Sequence, residues 1–511
     1  MAFKVPFISR KGVVASEHYL SSKLGVDVLD SGGNAVDAAV ATSFALSVVS
    51  PHMGGLGGDF FALYYKEDKD EVHCLNASGF APRRLTIDYV MSRGYKDEMP
   101  SRGPLSITVP GYVHGVFELH KRFGKKEFSR VISPSINLCY DGFPASQRFC
   151  WAINKDHELL ESDEGSRTVF LERKPKSEGS IVKFPSIAKT LSIIKEHGPL
   201  GFYEGEVCRG IVDYVNSKGG VLDEDDMRGY RPEWVTPLNI SYNDYLVYEI
   251  PPNSMGAITL LLLNLLKEAG FDKAKKHPPN PEVFAELSNK AYRIKDEYLS
   301  DPRFVSSDMK KLLSQGFAQE LLKSKQENQM HVEKGSDTTY FAVADKEGNV
   351  VSGIQSLFTN FGSGLTVPEF GITLNCRARG FKLKGANRLE PRKRPLHTLS
   401  ATILIKDDEI LALGASGAEY RPQIYAQLIT NYVDSKFDLA KAIESPRYVW
   451  EGGKRIVAEE GVDIGLINDY EVRKIPYPGR LGVAQGILVK NGVKWASCDI
   501  RGDGIPIGQA T

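Results

Sequence analysis

The sequence lacks the features on which several common classes of protein depend. Residues 1–20 contain no uninterrupted apolar stretch followed by a small-residue cleavage site, as a secretory signal would. The longest apolar stretches, 35–49 and 258–266, are shorter than the ~20 residues needed to cross a bilayer. Six cysteines form neither a C-x-x-C pair nor a Cys/His cluster at zinc-ligand spacing. These absences predict a cytoplasmic protein with no metal, no membrane partner and buried free thiols at Cys74, Cys139, Cys150, Cys208, Cys376 and Cys498.

An excess of charge of either sign is also missing. Lys plus Arg and Asp plus Glu each number 64 among the 511 residues, which gives a formal net charge of +0. The chain as a whole therefore offers no electrostatic reason to bind nucleic acid. Hydrophobic residues make up 42% of the chain, enough for a substantial core, so global disorder is excluded. No repeat and no long linker rich in Pro, Gly or Ser is present, which favours one continuous fold.

The familiar catalytic and ligand-binding signatures are absent as well. There is no G-x-S-x-G nucleophile elbow and no H-E-x-x-H zinc motif, and the ten histidines are dispersed singly. The acidic run 223–226 lacks the glycine and the final glutamate of a calcium loop, and it predicts a solvated helix start. The loop MGGLGGD (53–59) lies between a predicted helix and a predicted strand, the reverse of the order in a phosphate-binding loop. A tight turn where backbones approach closely is the interpretation that fits this loop.

Hydrophobic periodicity predicts a mixed α/β protein. Asn34 is placed to cap a buried helix that Pro51 ends. Near the middle of the chain, the runs 338–345 and 350–356 are rich in β-branched and aromatic residues and are joined by the turn KEGN, which indicates a hairpin. The other predicted strands cover 60–65, 239–249, 401–406, 409–414 and 486–490. The predicted helices cover 17–30, 35–49, 111–123, 185–197, 205–218, 257–269, 281–299 and 421–432.

The hairpin opens on a pair of threonines, Thr338 and Thr339. If the peptide bond before Thr338 were cut, this residue would carry a free α-amine with a pKa near ~7.7–8.0, able to deprotonate its own hydroxyl. Such chemistry needs no histidine, metal or cofactor. A Thr pair at a strand start is also what β-propensity alone favours, so the residues by themselves leave both interpretations open.

An ordered set of motifs extends over nearly the whole chain and resembles the γ-glutamyltransferase (γ-glutamyltranspeptidase) family of N-terminal-nucleophile hydrolases. The most diagnostic motif is SDTTYFAVADKEGNVVSGIQ (336–355), followed by FGSG (361–364) and GITLN (371–375). The motifs before it are SGGNAVDAAVA (31–41), SPHMGGLGGDFFALYY (50–65), APRRLT (81–86), FYEGEV (202–207), PPNSMG (251–256) and AYRIKDEYLSDPRF (291–304).

The resemblance implies an α/β (α+β) protein with a four-layer αββα sandwich that cuts itself between Asp337 and Thr338. A large segment, 1–337, and a small segment, 338–511, would then form one body. Thr338 would be the nucleophile, and Ser356 matches a family threonine that hydrogen-bonds it. Gly417 and Ala418 match paired glycines whose backbone amides stabilise the oxyanion. No cofactor is implied, and a homo-oligomer of processed two-fragment protomers stays open.

Every position that the family uses to hold the glutamate head is changed in this chain. Ser78 stands where an arginine binds the α-carboxylate, and Arg379 stands where an aspartate receives the α-amine. Phe358 replaces an asparagine, and His397 and Thr398 replace two serines. Since each lost charge-assisted contact weakens binding by ~1.5–3 kcal/mol, selectivity for an amino-acid head should be lost.

The sequence therefore predicts a self-processing threonine amidohydrolase for a small amide substrate that bears a carboxylate, which Arg379 would bind. The basic segment 381–395 supports an anionic substrate, or it is a solvated surface loop. It is too short for the lid that some relatives place over the site, which favours water as the acyl acceptor. The alternatives are a γ-glutamyl hydrolase or transpeptidase acting on glutathione-like substrates, an oxamate amidohydrolase or cephalosporin-acylase-like enzyme, and an uncleaved, non-catalytic homologue that binds an anion.

Overall fold

Two seven-stranded antiparallel sheets form the centre of the protein. The computed structural model describes residues 4–172, 174–271, 279–325, 332, 338–465, 467 and 469–510. The first sheet has the predicted hairpin at its middle, with Thr339 opposite Gln355 and Ser356 opposite Asp59. In spatial order its strands are β21 (Ile507–Gly508), β2 (Val13–Ser16), β10 (Thr339–Ala344), β11 (Val350–Ser356), β3 (Asp59–Lys66), β4 (Glu71–Ala77) and β7 (Glu233–Val235).

The second sheet joins strands from both ends of the chain. The predicted strand 239–249 is two strands, because Asn243 has a φ of 51° and turns the chain between them. In spatial order the strands are β1 (Phe7–Ser9), β20 (Val493–Cys498), β19 (Ala484–Lys490), β15 (Glu409–Ala415), β14 (Thr402–Lys406), β9 (Tyr245–Glu249) and β8 (Leu238–Tyr242). Smaller sheets contain β16 (Tyr448–Gly452), β17 (Arg455–Glu459) and β18 (Glu471–Ile475); β5 (Phe143–Pro144) and β6 (Ile181–Val182); and β12 (Thr366–Val367) and β13 (Ile372–Thr373).

Helices before β8 cover the outer face of the first sheet or extend from that layer, and those after β9 do the same for the second sheet. The first group contains α1 (Tyr19–Asp30), α2 (Ala35–Val49), α3 (Pro51–Gly54), α4 (Ile87–Ser92), α5 (Tyr112–Phe123), α6 (Phe128–Asp141), α7 (Gln147–Lys155), α8 (His157–Glu161), α9 (Glu164–Ser166), α10 (Pro185–His197), α11 (Leu200–Tyr203), α12 (Gly205–Ser217) and α13 (Glu224–Arg228). The second contains α14 (Gly256–Glu268), α15 (Pro281–Tyr292), α16 (Ile294–Tyr298), α17 (Met309–Leu312), α18 (Gln315–Lys323), α19 (Arg421–Val433) and α20 (Leu439–Glu444).

Three hydrophobic cores separate four layers. Phe61 of β3 and Ile403 of β14 belong to the core between the sheets. A second core lies between the first sheet and its helices, and a third lies between the second sheet and α14, α15 and α19. Each sheet thus buries both faces, one against a sheet and one against helices. The predicted αββα sandwich is confirmed.

Helix α2 shows why the sequence prediction works best at the centre of the fold. All its residues are buried, as expected of a helix that is hydrophobic on every side. Asn34 caps it in a capping box with Asp37, whose carboxylate also accepts backbone N–H groups from Lys125 and Lys126. The predicted helix and its cap are therefore confirmed.

The glycine loop also behaves as predicted, as a place where backbones meet. A Cβ on Gly57 would lie 2.2 Å from the carbonyl oxygen of Thr373, and one on Gly58 would lie 2.5 Å from that of Ser356. Only glycine fits such contacts, and they join β3 to the segment that follows β11.

The acidic run 223–226 is the predicted helix start, and Asp225 is exposed as expected. Asp223 caps α13, but Asp226 is fully buried, closes the capping box and accepts a hydrogen bond from the backbone N–H of Arg83. The prediction of a solvated run is therefore wrong for Asp226, because a distant backbone segment covers its carboxylate.

The basic segment 381–395 is only partly the solvated loop that the sequence allowed. Lys393 is fully buried and donates to the carbonyl of Ala386, and Arg394 is nearly buried and pairs with Glu233 at 2.8 Å. These two cations hold the segment against the body of the protein, whereas Lys382, Lys384 and Arg388 are exposed.

One predicted helix, the cysteines and the apolar segments complete the comparison with the sequence. The predicted helix 281–299 is divided into α15 and α16. All six cysteines lie in the described ranges as free thiols, five of them buried and Cys150 half-buried. Among the described residues, no helix is both long and apolar enough to cross a membrane.

Gly79→Ala should destabilise the protein, because the new methyl group would lie 1.7 Å from the carbonyl oxygen of Val109. We expect a loss of about 1–3 kcal/mol in the free energy of unfolding, the usual cost of overpacking. Gly316→Ala is the matched control, since its Cβ would meet only the Ser314 hydroxyl, at 3.9 Å. Chemical denaturation of both variants checks this, and equal stability of the two would contradict the packing at Gly79.

Candidate active site

Thr338 lies at the start of β10 in a small network of hydroxyl and amide groups. Its side chain is buried, and its Oγ1 donates to the Oγ of Ser356 at 3.2 Å. The same Ser356 oxygen accepts the backbone N–H of Phe358 at 2.8 Å. Phe358 has a φ of 91°, a conformation that costs a residue with a Cβ and recurs at functional sites.

Thr339 is directed elsewhere. Successive side chains of a strand point to opposite faces, and the Cγ2 of Thr339 lies against Gly54, 2.6 Å from where a Cβ on that glycine would be. Within the described chain its hydroxyl has no hydrogen-bond partner. Of the threonine pair, Thr338 is therefore the one whose hydroxyl meets Ser356.

Gly417 and Ala418 form a sharp turn after β15. Their φ angles are 144° and 43°, and Ser416 fixes the turn by exchanging hydrogen bonds of 2.9 Å with Val483. Gly414, near the end of β15, packs so closely on the Tyr340 ring of β10 that a Cβ would lie 2.2 Å away. The packing between the sheets thus brings the turn and the start of β10 to one region of the sandwich.

Ser78 belongs to a buried, uncharged network. Its hydroxyl donates to the Asn76 Oδ1 at 2.8 Å and also lies within hydrogen-bond distance of the Asn253 side chain. Asn76 and Asn253 are themselves joined at 2.9 Å. Ser78 is fully buried, so its hydroxyl serves this network.

Asp59 connects the two predicted segments of the chain. One carboxylate oxygen accepts the backbone N–H of Gly79 at 2.8 Å, and the other lies 3.0 Å from the Nε2 of His397. The Nδ1 of His397 accepts the N–H of Leu399, so the ring proton is on Nε2 and is donated to Asp59. Burial, aided by the positive charge of Arg377, lowers the pKa of His397 to about 3 and keeps the ring neutral.

Arg377 is a site residue that the sequence prediction missed. It is fully buried, its Nε lies 3.4 Å from the Asp59 carboxylate, and its Nη1 lies 3.4 Å from the hydroxyl of Thr398. The start of its loop is fixed by Asn375, whose amide joins the backbones of Gly57 and Thr108. Burial lowers the pKa of Arg377 to about 10, so it remains charged at neutral pH.

A family model for gamma-glutamyltranspeptidase matches residues 21–509 of the chain. The chain belongs to this family. It is 36% identical to the glutathione hydrolase-like YwrD proenzyme of Bacillus subtilis (strain 168), over 98% of this chain and 99% of the relative. It is 29% identical to the oxamate amidohydrolase proenzyme of Klebsiella pneumoniae, over 86% of this chain and 85% of the relative.

The fold agrees with this family membership. The crystal structure of cephalosporin acylase from Bacillus halodurans superposes with a TM-score of 0.92 at 31% identity, and the match covers 100% of this chain and 98% of that one. The predictions of an N-terminal-nucleophile fold and of an enzyme of this class are confirmed.

The γ-glutamyltranspeptidase-family site brings together most of the residues that the sequence singled out. Phe358 and Arg379 are neighbours, with the Arg379 guanidinium 5.0 Å from the ring centroid, and the Arg377 guanidinium lies 4.3 Å from the same centroid. Arg379 is half-buried. Asp337, the other side of the predicted cleavage point, lies outside the described residues.

Local patterns carried little signal for the charged residues that the sequence prediction missed. Asp59 ends the glycine loop, and Arg377 lies in the segment LNCRARGF (374–381), two residues before Arg379. Arg421, also fully buried, follows the turn at Gly417 and Ala418. An aspartate and two arginines far apart in sequence give no periodic pattern, so their common burial is visible only in the fold.

His397→Gln should weaken the pH dependence of stability. The pKa of His397 is about 3 in the folded protein and near its ordinary 6.5 when unfolded, so the free energy of unfolding falls as the pH falls through this window. Removing the imidazole should reduce the slope of the free energy of unfolding against pH by about 1.4 kcal/mol per pH unit near pH ~5, which is the effect of one proton.

Chemical denaturation of both proteins between about pH 7 and about pH 4 measures that slope. The other buried histidines contribute equally to both proteins and cancel in the difference. An unchanged slope would show that His397 is not held neutral.

Proposed function

We propose that the protein is a self-processing threonine amidohydrolase that cleaves small amides bearing a carboxylate and does not select a γ-glutamyl head. The observation that carries the proposal is the contrast within one site. The Thr338 hydroxyl meets Ser356, whereas Ser78 is tied into a neutral network and Arg379 lies on the ring of Phe358. The reacting groups of the family are retained, and its contacts to an amino-acid head are replaced.

The chemistry uses this chain's own groups. In the precursor, the Thr338 Oγ attacks the carbonyl carbon of Asp337, and the C–N bond to Thr338 breaks, which forms an ester and frees the Thr338 α-amine. Water then hydrolyses the ester to the Asp337 carboxylate and restores the Thr338 hydroxyl. In the mature enzyme that amine takes the hydroxyl proton while Oγ attacks the substrate carbonyl. The amides of Gly417 and Ala418 stabilise the oxyanion. The leaving amine departs with a proton, and water hydrolyses the acyl ester to a carboxylic acid.

The charges of the site support an acyl group that carries a carboxylate without a neighbouring amine. The aspartate that would receive an ammonium group is replaced by Arg379, and a cation at this position repels the α-amine of a γ-glutamyl substrate. The likeness to an oxamate amidohydrolase supports the same class of substrate.

Thr338→Ala should leave the chain uncut and inactive, because both steps use the same hydroxyl. Thr338→Ser keeps a hydroxyl and should still be cut, more slowly. Thr339→Ala is the matched control and should be cut like the wild type. Denaturing electrophoresis and N-terminal sequencing check this, with a small fragment expected to begin at Thr338. A single uncut band in the wild type after long incubation would favour the non-catalytic alternative.

Glutaryl p-nitroanilide should be a better substrate than γ-glutamyl p-nitroanilide, which differs from it only by the α-amine. We expect kcat/KM to differ by about tenfold or more, the effect of one unfavourable charge contact. Release of nitroaniline measures both rates, and oxamate hydrolysis is followed by ammonia release. Faster cleavage of the γ-glutamyl compound, or its transfer to dipeptides, would restore the glutathione-type alternative.

A further inference from the structure

Arg377 has hydrogen-bonding capacity that the protein itself does not use. Its side chain is fully buried. Among the described residues its Nη2 has no hydrogen-bond partner, and its Nε has only the 3.4 Å ion-pair contact with the Asp59 carboxylate. These two nitrogens share one edge of the planar guanidinium, the edge that holds a carboxylate with two parallel hydrogen bonds. A buried donor without a partner is costly, so a ligand that satisfies this edge would be bound favourably.

The surroundings of Arg377 carry more positive than negative charge. Arg421 is also fully buried and close enough to repel it, and in the described chain both Nη atoms of Arg421 lack a hydrogen-bond partner. Asp59 is the ion-pair partner of Arg377, but its oxygens already accept from Gly79 and His397. Glu249 interacts electrostatically with Arg421, and burial raises the pKa of Glu249 to about 8, so this carboxyl is mostly protonated at neutral pH.

Arg377 lies between the nucleophile Thr338 and Ser78, the position at which the family has an arginine. On one side its guanidinium faces the ring of Phe358, whose N–H binds the Ser356 hydroxyl next to Thr338. On the other side it pairs with Asp59, which holds the N–H of Gly79, the residue after Ser78. Arg377 thus supplies a cation to the region between Thr338 and Ser78 from a different part of the chain.

We infer that Arg377 binds the carboxylate of the substrate through its Nε and Nη2 edge, and that Arg421 adds to the positive potential there. This inference rests on the proposed function and names the residue that recognises the substrate class. The sequence analysis assigned this role to Arg379, which also contacts the Phe358 ring. Arg379 is only half-buried, so solvent screens its charge.

Two pairs of substrates test the assignment, because in each pair only the carboxylate is replaced by a neutral group. The pairs are glutaryl p-nitroanilide with its methyl ester and oxamate with oxamide. For Arg377→Gln we expect kcat/KM to fall about 10- to 100-fold on the acids, mostly through KM, and to change little on the neutral partners. The kcat/KM of Arg377→Lys on the acids should lie between the values of the wild type and of Arg377→Gln, since lysine keeps the charge but loses the paired donors. Arg379→Gln should have a smaller effect than Arg377→Gln.

Arg447→Gln is the control for the loss of a buried arginine, because Arg447 is nearly fully buried and pairs with Asp499 rather than with Asp59. It should lower the melting temperature without changing the preference for acids. Cleavage into two fragments reports that each variant has folded.

The outcomes separate this inference from the proposed function. Suppose that the wild type cleaves the acids, and that the ratio of kcat/KM on the acids to kcat/KM on the neutral partners is the same in Arg377→Gln as in the wild type. The inference about Arg377 is then wrong, and the proposal of an amidohydrolase is unaffected. If the wild type cleaves none of the four compounds and γ-glutamyl substrates are used instead, the proposed function is wrong.

Discussion

The buried carboxylate of Asp59 is the constraint on which the arrangement of the site depends. It lies at the start of β3, is fully buried, and contacts the backbone of Gly79, the ring of His397 and the guanidinium of Arg377. An ionised carboxylate at such depth is tolerated only when charged and hydrogen-bonding partners surround it. Because those partners come from both predicted segments, satisfying this one charge fixes how the segments meet.

In the proposed function, the site has a reacting half and a recognising half with different physical bases. The reacting half would use the hydroxyl of Thr338 and the backbone amides of the turn at Gly417 and Ala418. Backbone amides survive most substitutions, so alanine in place of a second glycine keeps the donor. The recognising half would use side-chain charge, which a single substitution removes or inverts. Ser78 and Arg379 are such changes, and under this proposal they alter selectivity without disturbing the nucleophile.

Backbone strain and an excess of buried cations both occur at this site. Phe358 and Ala418 have positive φ angles, which cost a residue that carries a Cβ. The guanidiniums of Arg377 and Arg421 are buried, and Arg377 pairs with the carboxylate of Asp59. Packing of four layers and three cores supports these local costs, and an anionic substrate would relieve the second of them.

Elements with strong local signals could be predicted from the amino-acid sequence alone. Helix α2 is hydrophobic on all sides and carries its own cap, and the hairpin of β10 and β11 has both strand propensity and a turn of Gly and Asn, so their boundaries could be predicted closely. The Thr pair was likewise visible in the residues at the hairpin start, whereas the roles expected of Gly417 and Ala418 followed only from the family resemblance.

Which charges are buried, and what they face, depends on the tertiary structure. Asp226 looked like part of a solvated helix start and Lys393 like part of a surface loop, and Arg377 was not singled out. Each is buried by segments distant in sequence, and burial changes the energy of a charge far more than any neighbour along the chain does. The periodicity of a sequence reports the face that an element buries, but it does not report which distant residue meets that face.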